Sequence, residues 1–271
     1  MAEAFSVRRN TDRAWRMEQF HFHDQYEILF SLTDNGEFFL RDRRYRLAKG
    51  SLLLLPPGEL HRSIAGGEQI YDRWVAHFSA SYAERLSSPE SDLLSVFRRG
   101  LPCRLLTPAQ ESRLQELFEL CSAPQTGFGA DLLRRSAFVR LLVEINNLPE
   151  NGRVQLPPES PLSPVLRHIR EHPQEDLSLS ALSERFFLSR SQLCRRFRAE
   201  TGFSPNEYVI RSRVMRACAL LEAGASVQEA GERSGFGDPS HFIRTFHSLV
   251  GQPPGRYGRS RRKTAGGNSE N

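Results

Sequence analysis

The first hundred residues carry short apolar runs that are separated by turn-forming residues. Runs of β-prone residues occupy positions 26–32, 37–40, 43–47, 51–55 and 72–79. Glycine, proline and asparagine stand between them, for example at Pro56-Pro57-Gly58. Short strands with turns at this spacing are typical of a β-barrel or a jelly roll. We therefore predict a β-barrel in this part of the chain.

Beyond residue 107 the apolar positions recur at helical spacing. Thr107-Pro108 has the form of an N-cap followed by proline in the first turn, and it predicts a helix over 108–121. A second amphipathic run predicts a helix over 130–147. Two helices after a barrel either cover the barrel or pair with a second subunit, and the sequence leaves both arrangements open.

A proline-rich segment divides the chain into two parts. Residues 148–162 predict a linker, because closely spaced prolines disfavour regular structure. We therefore expect an α+β protein with two domains: a β-rich domain with accessory helices at 1–147 and an all-helical domain at 163–258. The basic, then glycine- and serine-rich tail at 259–271 predicts disorder.

The helical part contains the same helix-turn-helix plan twice. The first unit begins at Ser178 and ends at Gly202, and the second begins at Ser226 and ends at Gly251. Each has a short helix, a tight turn and a second helix with a polar outer face. A long helix predicted from Ser204 to about residue 223 would span roughly 28 Å. That length suits two second helices held about one DNA turn apart, ~34 Å.

Positive charge is concentrated in the helical part. Residues 163–271 contain 17 Arg or Lys against 11 Asp or Glu, whereas residues 1–162 contain 20 against 21. A basic half indicates a polyanionic partner, and arginine suits paired contacts to phosphates and guanine edges. A general preference for arginine codons accounts for the charge equally well, so charge alone does not establish DNA binding.

Composition also bears on the compartment. No apolar run is long enough to cross a bilayer, and residues 1–10 carry no apolar stretch of the signal-peptide kind. We therefore expect a cytoplasmic protein without a membrane partner. The cysteines fit no zinc spacing and are expected to be free thiols. They are Cys103, Cys121, Cys194 and Cys218.

The second helix-turn-helix unit carries a specific motif. Residues 235–246 read Gly-Phe-Gly-Asp-Pro-Ser-His-Phe-Ile-Arg-Thr-Phe, and Gly-Gln-Pro-Pro follows at 251–254. This motif resembles the signature of the AraC/XylS family of transcription regulators. Residues 193–197 and 201–205 are similar to the family's first unit. The resemblance covers roughly residues 163–258.

The resemblance implies how the helical domain meets DNA. The second helix of each unit would face bases in one of two successive major grooves, where arginine can bind guanine O6 and N7 together. The implied DNA-binding residues are Arg190, Ser191, Gln192, Cys194, Arg195, Arg198, Ser240, His241 and Arg244. The resemblance further implies a non-enzymatic regulator, an activator acting as a homodimer, with operator DNA, a small-molecule effector and RNA polymerase as partners.

The β-rich part contains two histidine motifs. His21 and His23 precede Glu27 in the pattern H-x-H-x3-E, and His61 ends a G-x5-P-x-G-x2-H pattern. Both resemble the metal-binding motifs of cupins, and the region looks like the cupin-type sensing domain of many AraC-family regulators. On a strand, His21 and His23 point to the same face. Three histidines and one carboxylate suit a divalent transition metal.

A second interpretation of these residues needs no metal. The same four side chains would then hydrogen-bond the hydroxyls of a sugar-like effector, which the resemblance to sugar-sensing members favours. Arg73 would meet a carboxylate or stay in a surface pair. Aromatic walls would come from Trp15, Phe20, Tyr26, Phe38, Phe39 and Trp74. The alternative function is a metal-dependent cupin enzyme with an appended DNA-binding domain, against which the two complete helix-turn-helix units speak.

Overall fold

The computed structural model describes residues 5–13, 17, 21–34, 36–40, 43–65, 70–99, 102–124, 126–149 and 160–265. Its strands lie in the N-terminal part and pair in antiparallel fashion. The strands are β1 (Phe5–Arg13), β2 (Tyr26–Ser31), β3 (Gly36–Leu40), β4 (Arg43–Leu47), β5 (Ser51–Leu55), β6 (His61–Ala65), β7 (Ile70–Phe78) and β8 (Cys103–Leu105). They form a five-stranded sheet in the order β1-β7-β2-β5-β8 and a three-stranded sheet in the order β4-β3-β6.

The two sheets share a core between their inner faces. Leu29, Leu53 and Tyr71 of the five-stranded sheet pack in one buried cluster with Phe38 and Tyr45 of the three-stranded sheet. Because side chains alternate along a strand, every second residue of β2, β5 and β7 contributes to this core. The predicted β-rich domain is confirmed, and its described strands form two facing sheets rather than one closed hydrogen-bonded barrel.

Helices cover the outer face of the five-stranded sheet. They are α1 (Ala80–Leu86), α2 (Ser95–Arg98), α3 (Pro108–Ser122) and α4 (Ala130–Asn146). Thr107 caps α3 through a capping box with Gln110. The Trp74 ring of β7 stacks on Phe118 of α3, with 5.8 Å between the ring centroids. Of the two arrangements that the sequence leaves open for α3 and α4, the structure contains the covering one.

The C-terminal part is helical and contains both predicted helix-turn-helix units. Its helices are α5 (Ser163–Glu171), α6 (Leu179–Arg185), α7 (Arg190–Thr201), α8 (Pro205–Glu222), α9 (Val227–Arg233), α10 (Pro239–Val250) and α11 (Pro254–Ala265). In each unit the second helix spans 12 residues and ends at a glycine in the left-handed conformation, with φ of 80° at Gly202 and 79° at Gly251. Only glycine adopts this conformation at little cost, so both glycines end their helices.

Helix α8 belongs to the cores of both units. Tyr208, in its first half, packs in one cluster with Leu193 and Phe197 of the first unit. Val214 and Leu221, in its second half, pack with side chains of the second unit, including Phe242 and Phe246. A single rigid helix therefore fixes the two units relative to each other.

Gly235, in the turn of the second unit, is where substitution by alanine should destabilise the chain most clearly. Its φ is +92°, and a Cβ would lie 1.9 Å from the backbone oxygen of Pro173. A left-handed backbone alone costs a residue other than glycine about 1–3 kcal/mol. For Gly235→Ala we expect a larger loss, because the backbone of Pro173 must also move. Thermal unfolding followed by circular dichroism measures it.

Gly224→Ala is the matched control for this substitution. Gly224 has a φ of +97°, but a Cβ there would meet nothing within 4 Å. The control therefore carries the backbone strain without the collision, and its melting temperature should fall less. Equal losses in the two variants would show that the close approach to Pro173 does not matter.

Two predicted segments differ from the structure at their ends. Leu148 is buried beneath the helices of the β-rich part, and Leu162 is buried in the helical core, so the predicted linker at 148–162 is anchored at both ends. Its middle, 150–159, lies outside the described residues. The disorder predicted from 259 is wrong up to Ala265, because α11 extends to that residue. Residues 266–271 lie outside the described part.

The structure also bears on membrane insertion. None of the helices in the described part of the chain has the length and apolar character needed to cross a membrane.

Candidate functional site

Helix α7 presents the first set of predicted DNA-binding side chains. Leu193 and Phe197 are buried on its inner side, whereas Arg190, Arg195 and Arg198 are exposed. Its N-terminus is closed by a capping box, in which Gln192 Oε1 accepts from the backbone N–H of Ser189 at 3.0 Å. The exposed arginines leave a basic outer surface, as a recognition helix requires.

Four of the predicted readers on α7 have contacts within the domain or are partly covered. Gln192 is held in the capping box, and Arg198 donates to the Gly202 carbonyl oxygen at 3.1 Å. Cys194 is half-buried. Ser191 bonds the hydroxyl of the capping residue Ser189 at 3.1 Å. Arg190 and Arg195 are the exposed predicted readers on α7 that remain.

Helix α10 has the same design. Phe242 and Phe246 are buried, and Ser240, His241 and Arg244 are exposed. Asp238 caps the helix by accepting from the backbone N–H of His241. Arg244 thus has the same position on α10 that Arg195 has on α7.

The four predicted cluster residues of the β-rich part converge. His21 pairs with His61 across a β-bridge, with backbone N–H···O distances of 2.9 and 3.0 Å in the two directions. His23 and His61 both approach Glu27, the second residue of β2. One ligand-type atom of each of the four residues lies within 4.8 Å of the other three. The prediction that His21, His23, Glu27 and His61 meet inside one domain is confirmed.

Glu27 is the centre of this histidine cluster, defined as these four residues with His77. Its Oε2 atom lies 2.7 Å from His23 Nε2, 3.1 Å from His77 Nε2 and 3.4 Å from His61 Nε2. Burial opposes the charged form of Glu27, but hydrogen bonds from histidines outweigh it and hold the pKa of Glu27 well below its usual value. The buried centre is therefore a carboxylate.

The histidines differ in their electrostatic surroundings. Burial and the neighbouring His61 lower the pKa of His21 to about 4. Burial has the same direction at His23, but the hydrogen bond and the charge of Glu27 raise the pKa of His23 above its ordinary value. One side of the cluster thus has a neutral imidazole, which can donate a lone pair to a ligand.

His77 belongs to the cluster but is absent from the sequence prediction. It stands directly opposite Glu27 in the pairing of β7 with β2. The alternation of side chains along the strand predicted at 72–79 is the signal that would have identified His77. Residues 73, 75 and 77 share one face of a strand, and 75 packs in the inner core.

The structure corrects three predicted residues of the effector pocket. Tyr26 and Trp74 lie on the outer face of the five-stranded sheet, where they pack under the helices rather than beside the cluster. Each neighbours an inward-facing residue, and strand alternation turns it away. Arg73 is buried, and its Nη1 pairs at 2.8 Å with Oδ2 of Asp12, whose side chain is 37% exposed, so a carboxylate of the chain itself holds this guanidinium.

The other predicted aromatic walls also separate. Phe38 faces inward and stacks on His61, with 5.5 Å between ring centroids. Phe39, the next residue, faces outward and packs against the helical domain. Trp15 and Phe20 lie outside the described residues. One of the six aromatic residues is therefore shown beside the cluster.

The strand segments that carry the histidines also contact the helical domain. Phe22 lies between the two histidines of the first motif and packs against clusters of the helical domain. Leu60, the neighbour of His61, and Phe39 are buried in one cluster with Leu166 of α5 and Tyr208 of α8. We call Phe22, Phe39 and Leu60 the docking strip. Alternate residues of the same strands thus point to the histidine cluster and to the DNA-binding domain.

The chain combines two exposed helices of the recognition type with a β-rich domain that contains a buried polar cluster. This combination is that of a DNA-binding protein with an attached ligand-binding domain. Profile comparisons agree: an AraC-like ligand binding domain matches residues 4–142, and a helix-turn-helix domain matches residues 182–260. The chain belongs to the AraC family of transcriptional regulators.

Individual relatives have the same character. The MmsAB operon regulatory protein of Pseudomonas aeruginosa is 27% identical over 252 residues, which cover 90% of this chain and 78% of that protein. The HTH-type transcriptional activator RhaS of Shigella boydii is 35% identical over 108 residues, covering 40% of this chain and 38% of that protein. A crystal structure of ToxT from Vibrio cholerae is 13% identical, covers 95% of this chain and 98% of that chain, and has a TM-score of 0.40. The first two are regulatory proteins by name, in agreement with the non-enzymatic prediction.

Proposed function

We propose that this protein is a transcription activator that reads operator DNA with α7 and α10 and responds to an effector bound at the histidine cluster. The effector is a small ligand enclosed by the two sheets, and the regulator acts on RNA polymerase as a cytoplasmic homodimer. The single observation that supports a response to the effector is the alternation of cluster residues and docking-strip residues along the same strands.

The alternation supports a direct transmission route. A ligand that draws His21 and His23 together moves the backbone between them and therefore moves Phe22. A change at His61 moves Leu60 in the same way. Since the docking strip packs on α5 and α8, and α8 contributes to both helix-turn-helix cores, such a shift changes how the recognition helices are presented.

The readout of DNA rests on the exposed faces of α7 and α10. Arg195 and Arg244 are the principal base readers, and Arg190, Ser191, Ser240 and His241 flank them. Gln192 and Arg198 position the helix and contact phosphates, since their side chains already hold the helix ends. Cys194 contributes through packing rather than by hydrogen bonding.

The chemical class of the effector follows from what surrounds the cluster. A sugar pocket needs aromatic walls beside its polar groups, and Tyr26 and Trp74 pack elsewhere. Phe38 is the predicted wall that the described residues place beside the cluster, so the imidazole and carboxylate groups would make the principal contacts to the effector, a sugar-like metabolite included.

The transmission route predicts that a cluster residue and a docking residue are energetically coupled in DNA binding. We expect His23→Ala to change the affinity of the full chain for a duplex obtained by in vitro selection. In a Leu60→Ala background the same substitution should have little further effect, because the docking contact is already lost. Fluorescence anisotropy of the four proteins gives the coupling free energy, expected at about 0.5–3 kcal/mol.

A second cycle provides the control. Ile70 at the start of β7 is exposed and lies outside the clusters of the helical domain, so His23→Ala and Ile70→Ala should be additive. Additivity in both cycles would leave the histidine cluster without influence on DNA binding and would overturn the proposed route.

A further inference from the structure

We propose that the occupant of the histidine cluster is a divalent transition-metal ion, bound by His21, His23, Glu27 and His61 and positioned with the help of His77. This inference rests on the proposed function in so far as the cluster is the effector site. It makes the regulator metal-responsive, either to the ion itself or to a small ligand that the ion binds.

Convergence of the donor atoms is the first observation. Three imidazoles and one carboxylate, drawn from the 21–23 segment, β2 and β6, bring their ligand atoms within 4.8 Å of one another. Glu27 and His61 are almost completely buried. Burying these polar groups together costs free energy unless a partner satisfies them.

Hydrogen bonds on the far side of the rings fix which nitrogen faces the cluster. Nδ1 of His23 donates to the carbonyl oxygen of Gln25 at 2.9 Å, and Nδ1 of His61 donates to that of Glu59 at 2.8 Å. A carbonyl oxygen can only accept, so Nδ1 carries a proton in both rings and Nε2 is the atom that faces Glu27. Metal-binding histidines in proteins are held by the same kind of bond.

Both Nε2 atoms then point at the Glu27 carboxylate. That of His61 is buried, lies 3.4 Å from Glu27 Oε2 and makes no hydrogen bond. Nδ1 of His21 is likewise buried without a hydrogen-bond partner. These two imidazole nitrogens are buried beside a carboxylate without a hydrogen-bond partner, and a cation bound by them and by Glu27 would satisfy all three groups.

The donor set selects the kind of cation. Imidazole nitrogens suit zinc, iron, cobalt, nickel or copper, whereas calcium and magnesium prefer sites made only of oxygen. Three nitrogens and one oxygen match a first-row divalent ion. The absence of thiolates from this set separates it from structural cysteine-zinc sites.

His77 has a different role from the four ligands. It hydrogen-bonds Glu27 Oε2 at 3.1 Å from the facing strand, and its side chain is 31% exposed. It lies outside the set of mutually close ligand atoms. We therefore assign it as a positioning residue that holds the carboxylate in place.

A second histidine group gives a control within the same chain. His168, His172 and Glu175 also place ligand-type atoms within 4.8 Å of one another, but two of the three are exposed. Glu175 there also pairs with Arg185 at 3.5 Å, and a guanidinium so close disfavours a second cation.

The test is cobalt(II) titration of the full-length protein after removal of metals by chelation. Cobalt(II) held by nitrogen and oxygen ligands of the protein at a low coordination number absorbs visible light far more strongly than the hydrated ion, so the readout does not depend on DNA. We expect one equivalent to bind to the wild type and zinc(II) to displace it. His61→Ala should weaken binding by more than roughly 100-fold, and His77→Ala by about 10–100-fold, the range for groups that orient metal ligands.

The variants must be folded for this comparison. Glu27→Gln keeps the volume of the side chain but removes its charge, and it should lose the cobalt spectrum while retaining the circular dichroism of the wild type. His168→Ala should bind cobalt(II) like the wild type. Failure of the wild type to gain an absorption band, or a band that persists in both His61→Ala and Glu27→Gln, would overturn the metal assignment.

The outcome is separable from that of the proposed function. If cobalt(II) binds but His23 and Leu60 are not coupled in DNA affinity, the cluster is a metal site that does not regulate DNA binding. Coupling without cobalt binding would leave the response route intact and reject the metal as its occupant.

Discussion

Arg195→Ala and Arg244→Ala should each weaken specific DNA binding by about 1–3 kcal/mol, or roughly 5- to 150-fold, because each removes a side chain able to bind guanine at two atoms. Both residues are exposed at the middle of their helices, and their neighbours Leu193, Phe242 and Phe246 make the core. The substitutions should therefore leave the melting temperature unchanged. Anisotropy titrations against a duplex obtained by in vitro selection measure the loss.

Specific and nonspecific effects can be separated with a third arginine. Arg198 donates to Gly202 at the end of α7, which places it at the helix end that lies beside the phosphate backbone in a docked recognition helix. Arg198→Ala should weaken binding to all duplexes alike and lower the salt dependence by about one counterion. Arg195→Ala should instead relax the sequence preference in a repeat of the selection. Wild-type affinity and preference in both Arg195→Ala and Arg244→Ala would remove the assignment of α7 and α10 as readers.

The helical domain could be predicted from the sequence nearly to the residue. Ser189, Ser204 and Ser226 each cap a helix with a capping box, and Gly202 and Gly251 end the two recognition helices. Such signals are local, because a cap or a left-handed glycine acts within one turn of the chain. Helices α5 and α11 lie in segments for which the sequence predicted no separate helix, and α5 lacks a side-chain cap.

The β-rich domain was predicted less completely, because pairing between distant strands determines it. Strands β1, β6 and β8 were missed. The sequence of β6, His-Arg-Ser-Ile-Ala, is mostly polar, since His61 and Ser63 face the inner side while Arg62 lies under the docking face over the ring of Phe39. A strand whose inner face carries a polar site lacks the apolar alternation by which strands are recognised.

Residues of the candidate site were predicted where their spacing along the chain was sufficient to place them. They were missed where their position depends on the register of the sheet. His21 and His23 follow from alternation within one short segment. His77 and the burial of Tyr26 and Trp74 on the other side require knowing which face of β2 and β7 meets the second sheet. That choice rests on the covering helices, which contribute Phe118 and Phe138 to the outer face.

The helices that cover the sheet also leave apolar side chains exposed, and these predict where two copies of the chain meet. Leu133 of α4 is 73% exposed and Leu132 is 59% exposed, and Leu120 at the end of α3 is 54% exposed. Arg134 Nε donates to the carbonyl oxygen of Cys121 at 2.6 Å, which brings the end of α3 beside the start of α4. Exposed apolar residues grouped in this way mark a protein interface.

We expect Leu133→Glu to convert a dimer of this chain into a monomer, because the two-fold arrangement of a dimer places each carboxylate in or beside an apolar contact. A regulator that binds two sites through linked subunits gains about 10²–10⁴ in apparent affinity, so the variant should lose about that factor on a duplex with two half-sites. On a single half-site it should bind like the wild type. Sedimentation velocity gives the oligomeric state, and anisotropy gives both affinities.

Ile70→Glu is the matched control, since Ile70 is also exposed but lies at the start of β7. A Leu133→Glu protein that remains a dimer would place the subunit contact elsewhere, whereas a monomer that keeps full affinity for the paired site would show that one chain occupies both half-sites through α7 and α10.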